Sequence, residues 1–389
     1  MKLVCLIWLS GQFIIQAPYG IEAVPTGLGE DAQLLLNEKD GANTSQTVSP
    51  PLHSRQRRAG RVVFYDDFSS GHIDSSKWKH DVSADGVGHN EFQMYTPEAK
   101  NSYVKNGVLY LRPTLTADTF GEDFLMNGNF DSNKVYGRCT NGWCVTEGLN
   151  HANAHMNIHP IMSSYLTSTT NIRYGRVEVL AQLPKGDWLW PAIWLMPRTA
   201  KYGAWPRSGE IDLMEAAGNR NLHEWNGSSI AVDVARTNLH YGPDYPHDLH
   251  NDHNIQCHGC TYGDGYHTYW LDWTADHIAL GVDGHTVQED RTPPQGYWHK
   301  GGWSGSNIWA SGGLNAPFDQ PFYLILNVAV GGDFFWDGVT NKPYAKPWSM
   351  KEPTRDQMIK FWNTKHLWYP TWHGEEVALK IKYVKMWQY

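Results

Sequence analysis

The chain has 389 residues and a formal net charge of −8 at pH 7, with charged residues at 19% and aromatic residues at 13%. This length suits one large domain or two ordinary ones. Because the chain lacks the excess of Lys and Arg that displaces counterions from phosphates, nucleic acid is excluded as the expected partner. The 19 tryptophans are the outlier of the composition. An indole is bulky and its N–H needs a partner when buried, so some of these rings should form a binding surface, for sugar rings or for another protein.

The N-terminal residues have the pattern of a targeting segment. Lys2 precedes an apolar run over residues 3–15, and small residues follow. The run is too short to span a bilayer, so we expect residues 1–20 to be a signal peptide and the mature protein to be secreted and extracellular, with no membrane partner. N-glycosylation sequons at Asn43 and Asn226 agree with secretion, and Asn226 is the predicted glycosylation site of the mature chain.

Residues 21–58 have the composition of a propeptide or linker, rich in Gly, Ser, Thr, Pro, Asn and Gln. The segment ends in Arg-Gln-Arg-Arg, which resembles a furin-type processing site; an ordinary basic linker is the alternative interpretation. Sequence typical of an ordered domain begins directly afterwards. We therefore expect cleavage after Arg58 and one domain over residues 59–389.

Four cysteines remain once the first leaves with the signal peptide. They form two close pairs, Cys139 with Cys144 and Cys257 with Cys260. Four cysteines allow three pairings, and in an oxidising compartment we expect two local disulfides that pin loops. Zinc is the alternative, because C-x-x-C with His258 is typical of metal binding, but the spacing in CTNGWC does not suit a second zinc knuckle.

Strand patterns dominate the rest of the chain. From Val62 onward, short apolar or aromatic runs alternate with turn residues. The strand-like runs are VVFYDDF, GVLYLRPTL, GRVEVLAQL, WLWPAIWLM, EIDLMEA, HTYWLDWT, HIALGVDG, FYLILNVAVGG and VALKIKYVKMWQY. The sequence VDG at residues 282–284 predicts a hairpin turn, and TRDQMIKFW at residues 354–362 predicts a short helix. Many strands and few helices predict an all-β fold, a β-sandwich or jelly roll of two antiparallel sheets.

One strand-like run, EIDLME, places three acids among residues that belong in a core. Side chains alternate along a strand, so Glu210 and Asp212 share a face, whereas simple alternation would put Met214 rather than Glu215 beside them. A β-bulge, one extra residue around Leu213 and Met214, returns Glu215 to the acidic face. We therefore predict three carboxylates on one face of one strand.

Aligned carboxylates repel one another, so the pKa of at least one should rise and make that group a proton donor near neutral pH. Two carboxylates about 5–5.5 Å apart across a bond between sugars are the machinery of retaining glycoside hydrolysis. A calcium site is the alternative, because acids at alternate positions supply oxygen ligands. Calcium loops are polar throughout, whereas Ile211, Leu213 and Met214 belong to a packed strand, which favours catalysis.

The sequence EIDLME resembles the E-x-D-x-x-E signature of glycoside hydrolase family 16, in its β-bulge form. The surrounding segments are similar to the laminarinase and β-1,3-glucan-recognition branch of that family: PKGDWLWPAIWLMPR (184–198), YGRVEVLAQLP (174–184), HTYWLDWTADHIALGVDG (267–284), PFYLILNVAVGG (321–332) and ALKIKYVKMWQ (378–388). The resemblance covers residues 60–389. It implies a jelly roll whose concave sheet forms an open cleft, suited to endo attack on a β-1,3-glucan such as laminarin.

The resemblance also implies a role for each acid. Glu210 would be the nucleophile, Glu215 the general acid and then the general base, and Asp212 a hydrogen-bond partner that tunes the protonation of Glu210. The further residues expected to contact sugar are Asn90, Glu91, Trp190, Trp194, Trp205, Arg207 and His267. The two tryptophans of WLWPAIW share a face only if the strand stays regular at Pro191. One departure is Tyr165, which stands where the family often has an Arg and so affects the donor subsites.

Other classes of function stay open at this level. Close relatives in invertebrate immunity bind β-1,3-glucan without hydrolysing it, commonly lacking catalytic glutamates, and a lectin-like galactan binder would use the same sheet. The retained acids, and an N-terminal segment too short and too polar for a binding module, favour an enzyme. We expect a monomer with β-1,3-glucan as its partner, no cofactor and no metal site. Some relatives carry a structural calcium ion on the convex side, and no residue here is assigned to it.

Overall fold

The computed structural model describes residues 60–84, 86–140, 143–250 and 252–389. The predicted signal peptide, the predicted propeptide or linker, and the sequon at Asn43 lie outside these residues. In this part of the chain no helix has both the length and the apolar character needed to cross a bilayer.

Short strands make up most of the described chain. In order they are β1 (Arg61–Asp66), β2 (Trp78–His80), β3 (Gln93–Tyr95), β4 (Ser102–Lys105), β5 (Val108–Leu111), β6 (Thr114–Leu115), β7 (Asn129–Asp131), β8 (Val145–Glu147), β9 (Ile161–Ser163), β10 (Tyr165–Ile172), β11 (Gly175–Gln182), β12 (Leu189–Pro197), β13 (Glu210–Glu215), β14 (Leu222–His223), β15 (Val234–His240), β16 (His253–Gln256), β17 (His267–Trp273), β18 (His277–Val282), β19 (His285–Arg291), β20 (Phe322–Val330), β21 (Thr340–Asn341) and β22 (Leu379–Gln388).

The helices are few and short. They are α1 (Ala117–Phe120), α2 (Glu122–Asn127), α3 (Ser132–Tyr136), α4 (Tyr297–Lys300), α5 (Thr354–Asn363) and α6 (Lys365–Trp368), with single 3₁₀ turns at Gly86–Gly88, Tyr245–His247 and Tyr369–Thr371. The helix predicted over residues 354–362 is confirmed as α5, which buries Met358, Phe361 and Trp362.

Two antiparallel sheets form the sandwich. The seven-stranded sheet has the order β16-β15-β13-β12-β20-β10-β2, and the eight-stranded sheet has the order β19-β18-β17-β11-β22-β5-β4, with β1 paired to β22. Smaller sheets join β3, β9 and β6, then β7 and β8, then β14 and β21. The predicted all-β sandwich of two antiparallel sheets is confirmed.

The core lies between the two large sheets because each strand presents one apolar face to the other sheet. On β11 the residues Val177, Val179 and Ala181 are fully buried and alternate with partly exposed residues. Each of the two valine side chains contributes about 1.5–3 kcal/mol when fully buried. Much of the tryptophan content serves core packing, since the core cluster includes Trp78, Trp188, Trp273, Trp309, Trp348, Trp362 and Trp368.

Two local predictions about loops are also confirmed. Asp283 and Gly284 connect β18 to β19 as a two-residue hairpin turn, with φ of 49° and 83°, which matches the left-handed backbone that such turns require. The two predicted disulfides are both formed, one between Cys139 and Cys144 and one between Cys257 and Cys260. The sulfurs are therefore used in disulfides and not as zinc ligands.

Candidate active site

The register of β13 contains the predicted bulge. On the neighbouring strand β12, Ile193 pairs with Met214 and Trp194 pairs with Asp212, so the register skips Leu213. The pairing of β13 with β15 is shifted between Asp212 and Glu215 as well. The extra residue reverses the alternation of side chains along the strand. The bulge predicted from the sequence is confirmed.

The bulge brings the three acids to one face of the seven-stranded sheet. Asp212 lies beside Trp194 and Glu215 lies beside Ala192, while the apolar residues of β13 enter the core. On β15, the cross-strand partners of Glu210, Asp212 and Glu215 are, in that order, His240, Asn238 and Arg236. The outer face of three adjacent strands therefore carries a compact group of polar and charged side chains.

Glu210 is held by an indole. The Nε1–H of Trp205 donates a hydrogen bond of 2.6 Å to Oε2 of Glu210, and the residue as a whole is partly exposed. Burial raises the pKa of Glu210, while the charge of His240 opposes that rise. The charge of Glu215 raises the pKa further, and hydrogen bonds from Trp205 and Asp212 lower it.

A second indole holds Glu215 in the same way. The Nε1–H of Trp190 donates a hydrogen bond of 3.0 Å to Oε1 of Glu215, and the Trp190 ring stacks on Phe334 at 4.5 Å. Burial raises the pKa of Glu215, whereas the charges of Arg236 and His240 and the bond from Trp190 lower it. The two glutamates thus have matched indole donors on opposite sides of the acidic strand.

Asp212 lies between the glutamates and is 1% exposed. Burial and the charges of Glu210 and Glu215 raise its pKa well above the ordinary value. A hydrogen bond between Asp212 and Glu210 raises the pKa of Asp212 and lowers that of Glu210. This shift favours the protonated form of Asp212, which can donate a hydrogen bond to the Glu210 carboxylate.

His240 is a site residue that the sequence analysis missed. Its Nε2 lies 3.4 Å from Oδ2 of Asp212, and its Nδ1 lies 2.7 Å from Oδ2 of Asp248. Burial by itself would lower the pKa of His240, but the bond to Asp248 and the charges of Glu210, Asp248 and Glu215 raise it to about 9. His240 is therefore a cation at neutral pH, placed against the acids.

Trp194 belongs to an aromatic patch beside the acids. Its Nε1–H donates to Oδ1 of Asn327 at 2.7 Å, and the Asn327 amide donates to the Tyr95 hydroxyl at 2.9 Å. Tyr165 packs against Tyr95 and Trp194, with ring centroids 5.1 and 6.0 Å away. The unbroken register of β12 with β20 passes through Pro191, so Trp190 and Trp194 do share a face, as the regular-strand alternative required.

The segment that holds Asn90 and Glu91 reaches the same side of the molecule. Asn90 is exposed, and its amide is bound on both sides, donating to Asp333 at 2.8 Å and accepting from Thr354 at 2.6 Å. Glu91 is 4% exposed and accepts hydrogen bonds from nearby side chains. The preceding residue, His89, was not predicted and lies edge-on to Trp190 at 5.8 Å. Sugar contacts by Asn90 and Glu91 stay predictions.

The structure separates the last two predicted contacts. Arg207 is exposed just before β13, and its Nε donates to the carbonyl of Pro243 at 2.6 Å. His267 begins β17 in the eight-stranded sheet, where it bonds to Asp283 at 2.5 Å. Arg207 therefore lies near the acidic strand, whereas His267 belongs to the other sheet and is not brought together with the acids. Asn226 is exposed in a turn after β14, and its glycosylation stays a prediction.

Comparisons with known proteins show which family this β-sandwich and its acidic strand belong to. The family model for glycosyl hydrolases family 16 matches residues 135–313. A beta-1,3-glucan-binding protein of Penaeus monodon is 37% identical, over 84% of this chain and 90% of that protein. The laminarinase of Rhodothermus marinus, a solved structure, has 23% sequence identity and a TM-score of 0.53, over 85% of this chain and 98% of that one.

A third relative is the glucan endo-1,3-beta-glucosidase A1 of Niallia circulans, which is 30% identical over 70% of this chain and 34% of its own length. This chain thus matches only part of that bacterial protein. Taken with the family model and the Penaeus monodon relative, these similarities confirm the resemblance seen in the sequence. The chain belongs to glycosyl hydrolases family 16.

Proposed function

We propose that this protein is a secreted endo-β-1,3-glucanase that hydrolyses its substrate with retention of anomeric configuration. One observation carries the proposal: Glu210 and Glu215 lie on one face of one strand, each oriented by an indole N–H, with the buried Asp212 between them. Paired carboxylates on either side of a glycosidic bond are the required groups for this reaction.

The reaction has two steps. In the first, Glu210 attacks the anomeric carbon while Glu215 gives its proton to the departing glycosidic oxygen, which leaves a glycosyl ester on Glu210. In the second, Glu215, now ionised, takes a proton from water, and the resulting nucleophile attacks the anomeric carbon and releases Glu210. Two inversions at one carbon give retention.

The hydrogen bonds around the two glutamates support this division of roles. Burial raises the pKa of both glutamates and an indole bond lowers each, but Glu210 also has a hydrogen bond from Asp212, which favours its ionised form, as a nucleophile requires. Burial favours the protonated form of Glu215, as a general acid requires. The charge of Arg236 stabilises Glu215 after it has lost its proton, which is the form that must activate water in the second step.

The aromatic residues around the acids suit a glucan chain. The rings of Trp190 and Trp205 lie on either side of the acidic strand, and both retain partial exposure, as does Trp194. Pyranose rings stack on such faces, while the indole N–H groups are already engaged by the protein. The β-1,3 linkage is suggested by the names of the relatives from Penaeus monodon and Niallia circulans.

A second candidate function is recognition of β-1,3-glucan with little or no hydrolysis. The relative from Penaeus monodon is described as a beta-1,3-glucan-binding protein, and the same face of the sheet would bind the polymer. Retention of both glutamates and of their indole donors favours the enzyme, because binding alone does not need a proton donor opposite a nucleophile.

The remaining parts of the proposal concern the protein outside the site. We propose that residues 1–20 direct secretion, that residues 21–58 are removed or serve as a linker, and that residues 59–389 form the catalytic domain. We also propose that the protein acts as a monomer and carries a glycan on Asn226.

The test is to incubate the purified secreted protein with laminarin and to follow new reducing ends. Glu215→Gln is the inactive control, and Glu289→Gln, an exposed glutamate on β19, is the matched control that should behave like wild type. Release of short oligosaccharides by wild type and Glu289→Gln alone supports the glucanase. Tight laminarin binding without release would refute it and favour the recognition function.

A further inference from the structure

A short antiparallel contact places three potential metal ligands together beside the acids. Tyr241, just after β15, and Leu249 form an isolated antiparallel bridge with two backbone hydrogen bonds, of 3.2 and 2.8 Å. Residues that flank such a bridge lie opposite each other on the other face. His240 therefore faces His250, with ring centroids 5.1 Å apart, and Asp248 lies on the same side.

The ligand atoms of this group converge. The Nδ1 of His240 and the Nδ1 of His250 lie 2.7 and 2.9 Å from the same oxygen, Oδ2 of Asp248. One ligand atom from each of the three residues lies within 4.8 Å of the others. Two imidazoles that share one carboxylate oxygen form the kind of donor set that holds a metal ion.

A second observation is independent of these distances. The Asp248 side chain is 7% exposed, and its other oxygen, Oδ1, is buried with no hydrogen-bond partner among the described residues. A buried carboxylate oxygen without a partner costs free energy and calls for an explanation, and a bound ion is one of the recognised ones. Asp248 is also built into the fold, directly before the bridge residue Leu249.

We propose that His240, Asp248 and His250 form a binding site for a divalent transition-metal ion such as Zn²⁺ or Cu²⁺. Two imidazole nitrogens and one carboxylate oxygen suit these ions, whereas Mg²⁺ and Ca²⁺ require oxygen ligands. Three protein ligands leave at least one coordination position for water. This site is additional to the proposed glucanase chemistry, and its existence does not depend on that activity.

The geometry needs only a small adjustment to accept the ion. Metal–ligand bonds of about 2.0–2.2 Å place ligand atoms of a tetrahedral site about 3.3 Å apart, so the N–O separations of 2.7 and 2.9 Å must widen slightly. The side chain of His250 is 54% exposed, which allows that movement. His240 is fixed by β15 and Asp248 by burial, so most of the adjustment falls on His250.

The site lies where a bound ion can affect the carboxyl groups of Asp212 and Glu210. Binding of the ion displaces the Nδ1 proton of the His240 cation to solvent; Nδ1 then ligates the ion, and Nε2, which keeps its proton, lies 3.4 Å from Asp212. A bound ion thus fixes the orientation of the imidazole and leaves the Nε2 proton directed at Asp212. The imidazole ring of His240 separates an ion at this site from Asp212, and the ion acts on Glu210 through Asp212.

The experiment is calorimetric titration of Zn²⁺ into the full chain, made without a polyhistidine tag and stripped with a chelator. Variants are His250→Ala, which removes an exposed ligand and should fold, and His366→Ala, an exposed histidine on α6 that serves as the matched control. Wild type and His366→Ala should bind one ion, and His250→Ala should lose at least tenfold in affinity, about 1.4 kcal/mol. Neither Mg²⁺ nor Ca²⁺ should compete.

Electron paramagnetic resonance of the Cu²⁺ complex gives a second readout. Coupling to two imidazole nitrogens is expected in wild type and coupling to one in His250→Ala. The proposal is overturned if wild type shows no saturable binding below about 1 mM, the weak end of specific affinities, or if His250→Ala binds Zn²⁺ as tightly as wild type. Laminarin hydrolysis is not used in either measurement, so this result and the test of glucanase activity stand apart.

Discussion

Replacing Trp190 by Phe should move the basic limb of the pH–activity profile to higher pH. The substitution removes the indole N–H that donates to Oε1 of Glu215 at 3.0 Å, while a phenyl ring can still stack on Phe334, which lies 4.5 Å away. The bond from Trp190 lowers the pKa of Glu215, so its loss raises that pKa. A general acid works only while protonated, and activity therefore persists to higher pH.

The size of the shift follows from the hydrogen bond. A bond to a charged group contributes about 1.5–3 kcal/mol, and one pKa unit corresponds to about 1.36 kcal/mol. Full loss of the bond would raise the pKa by about one to two units. Glu215 is partly exposed, so water replaces part of the bond, and the expected shift is about one unit.

The assay is kcat/KM for laminarin across the pH range, because this ratio reports the pKa of the free enzyme. Trp194→Phe is the matched control: it also removes an indole bond on the same strand, of 2.7 Å, but the acceptor is Asn327 and not a carboxylate. Its basic limb should stay in place. If the limb of Trp190→Phe stays in place or moves to lower pH, Glu215 is not the proton donor or Trp190 does not tune it.

Four further outcomes follow from the same site. Glu210→Gln and Glu215→Gln should each lower kcat about 10³-fold, as measured by kinetics. Both variants should keep their affinity for laminarin, as measured by affinity electrophoresis. A variant that retains most of its activity would contradict these roles. Glu210→Ala in azide should yield a product of inverted anomeric configuration, seen by NMR, because azide replaces the nucleophile. Trp205→Phe removes a bond that lowers the pKa of Glu210, so the acidic limb of kcat/KM should move to higher pH, with no movement counting against the nucleophile assignment. Asp212→Asn should raise the midpoint of thermal unfolding at pH 8 by about 2 °C for each kcal/mol gained. The raised folded-state pKa of Asp212 stabilises the wild-type fold at low pH, and this stabilisation is lost as the pH rises through that pKa, whereas the variant has no such group to titrate. An equal loss of stability with rising pH in both proteins would refute the reasoning.

Several features of the site were predictable from the sequence because they depend on neighbours along the chain. The spacing of Glu210, Asp212 and Glu215 required a bulge once the apolar residues between them were assigned to the core, and the register of β13 has it. Alternating runs with Gly and Pro turns predicted the strands of both large sheets. The family resemblance rested on the same runs.

No comparable pattern in the sequence marks β15, which carries Arg236, Asn238 and His240. Six of its seven residues are buried, so the strand lacks the alternation by which half-exposed strands are identified. Asp248 and His250 follow in a polar loop without periodicity. Only the pairing of β15 with β13 brings His240 to Asp212.

Tertiary structure also determined the positions of two residues that the family resemblance had grouped with the acids. Glu91 is buried among its own hydrogen-bond donors, and His267 lies in the eight-stranded sheet.

By itself, the sequence determined the class of fold, the two local disulfides and the shared face of the three acids. Each of these follows from alternation, turn chemistry or short separation along one stretch of chain. The tertiary structure alone decided which side chains meet those acids, including the indoles of Trp190 and Trp205 and the imidazole of His240. The reason is physical: strand order and register are set by hydrogen bonds and packing between segments distant in sequence, and one residue of register moves every side chain to the opposite face.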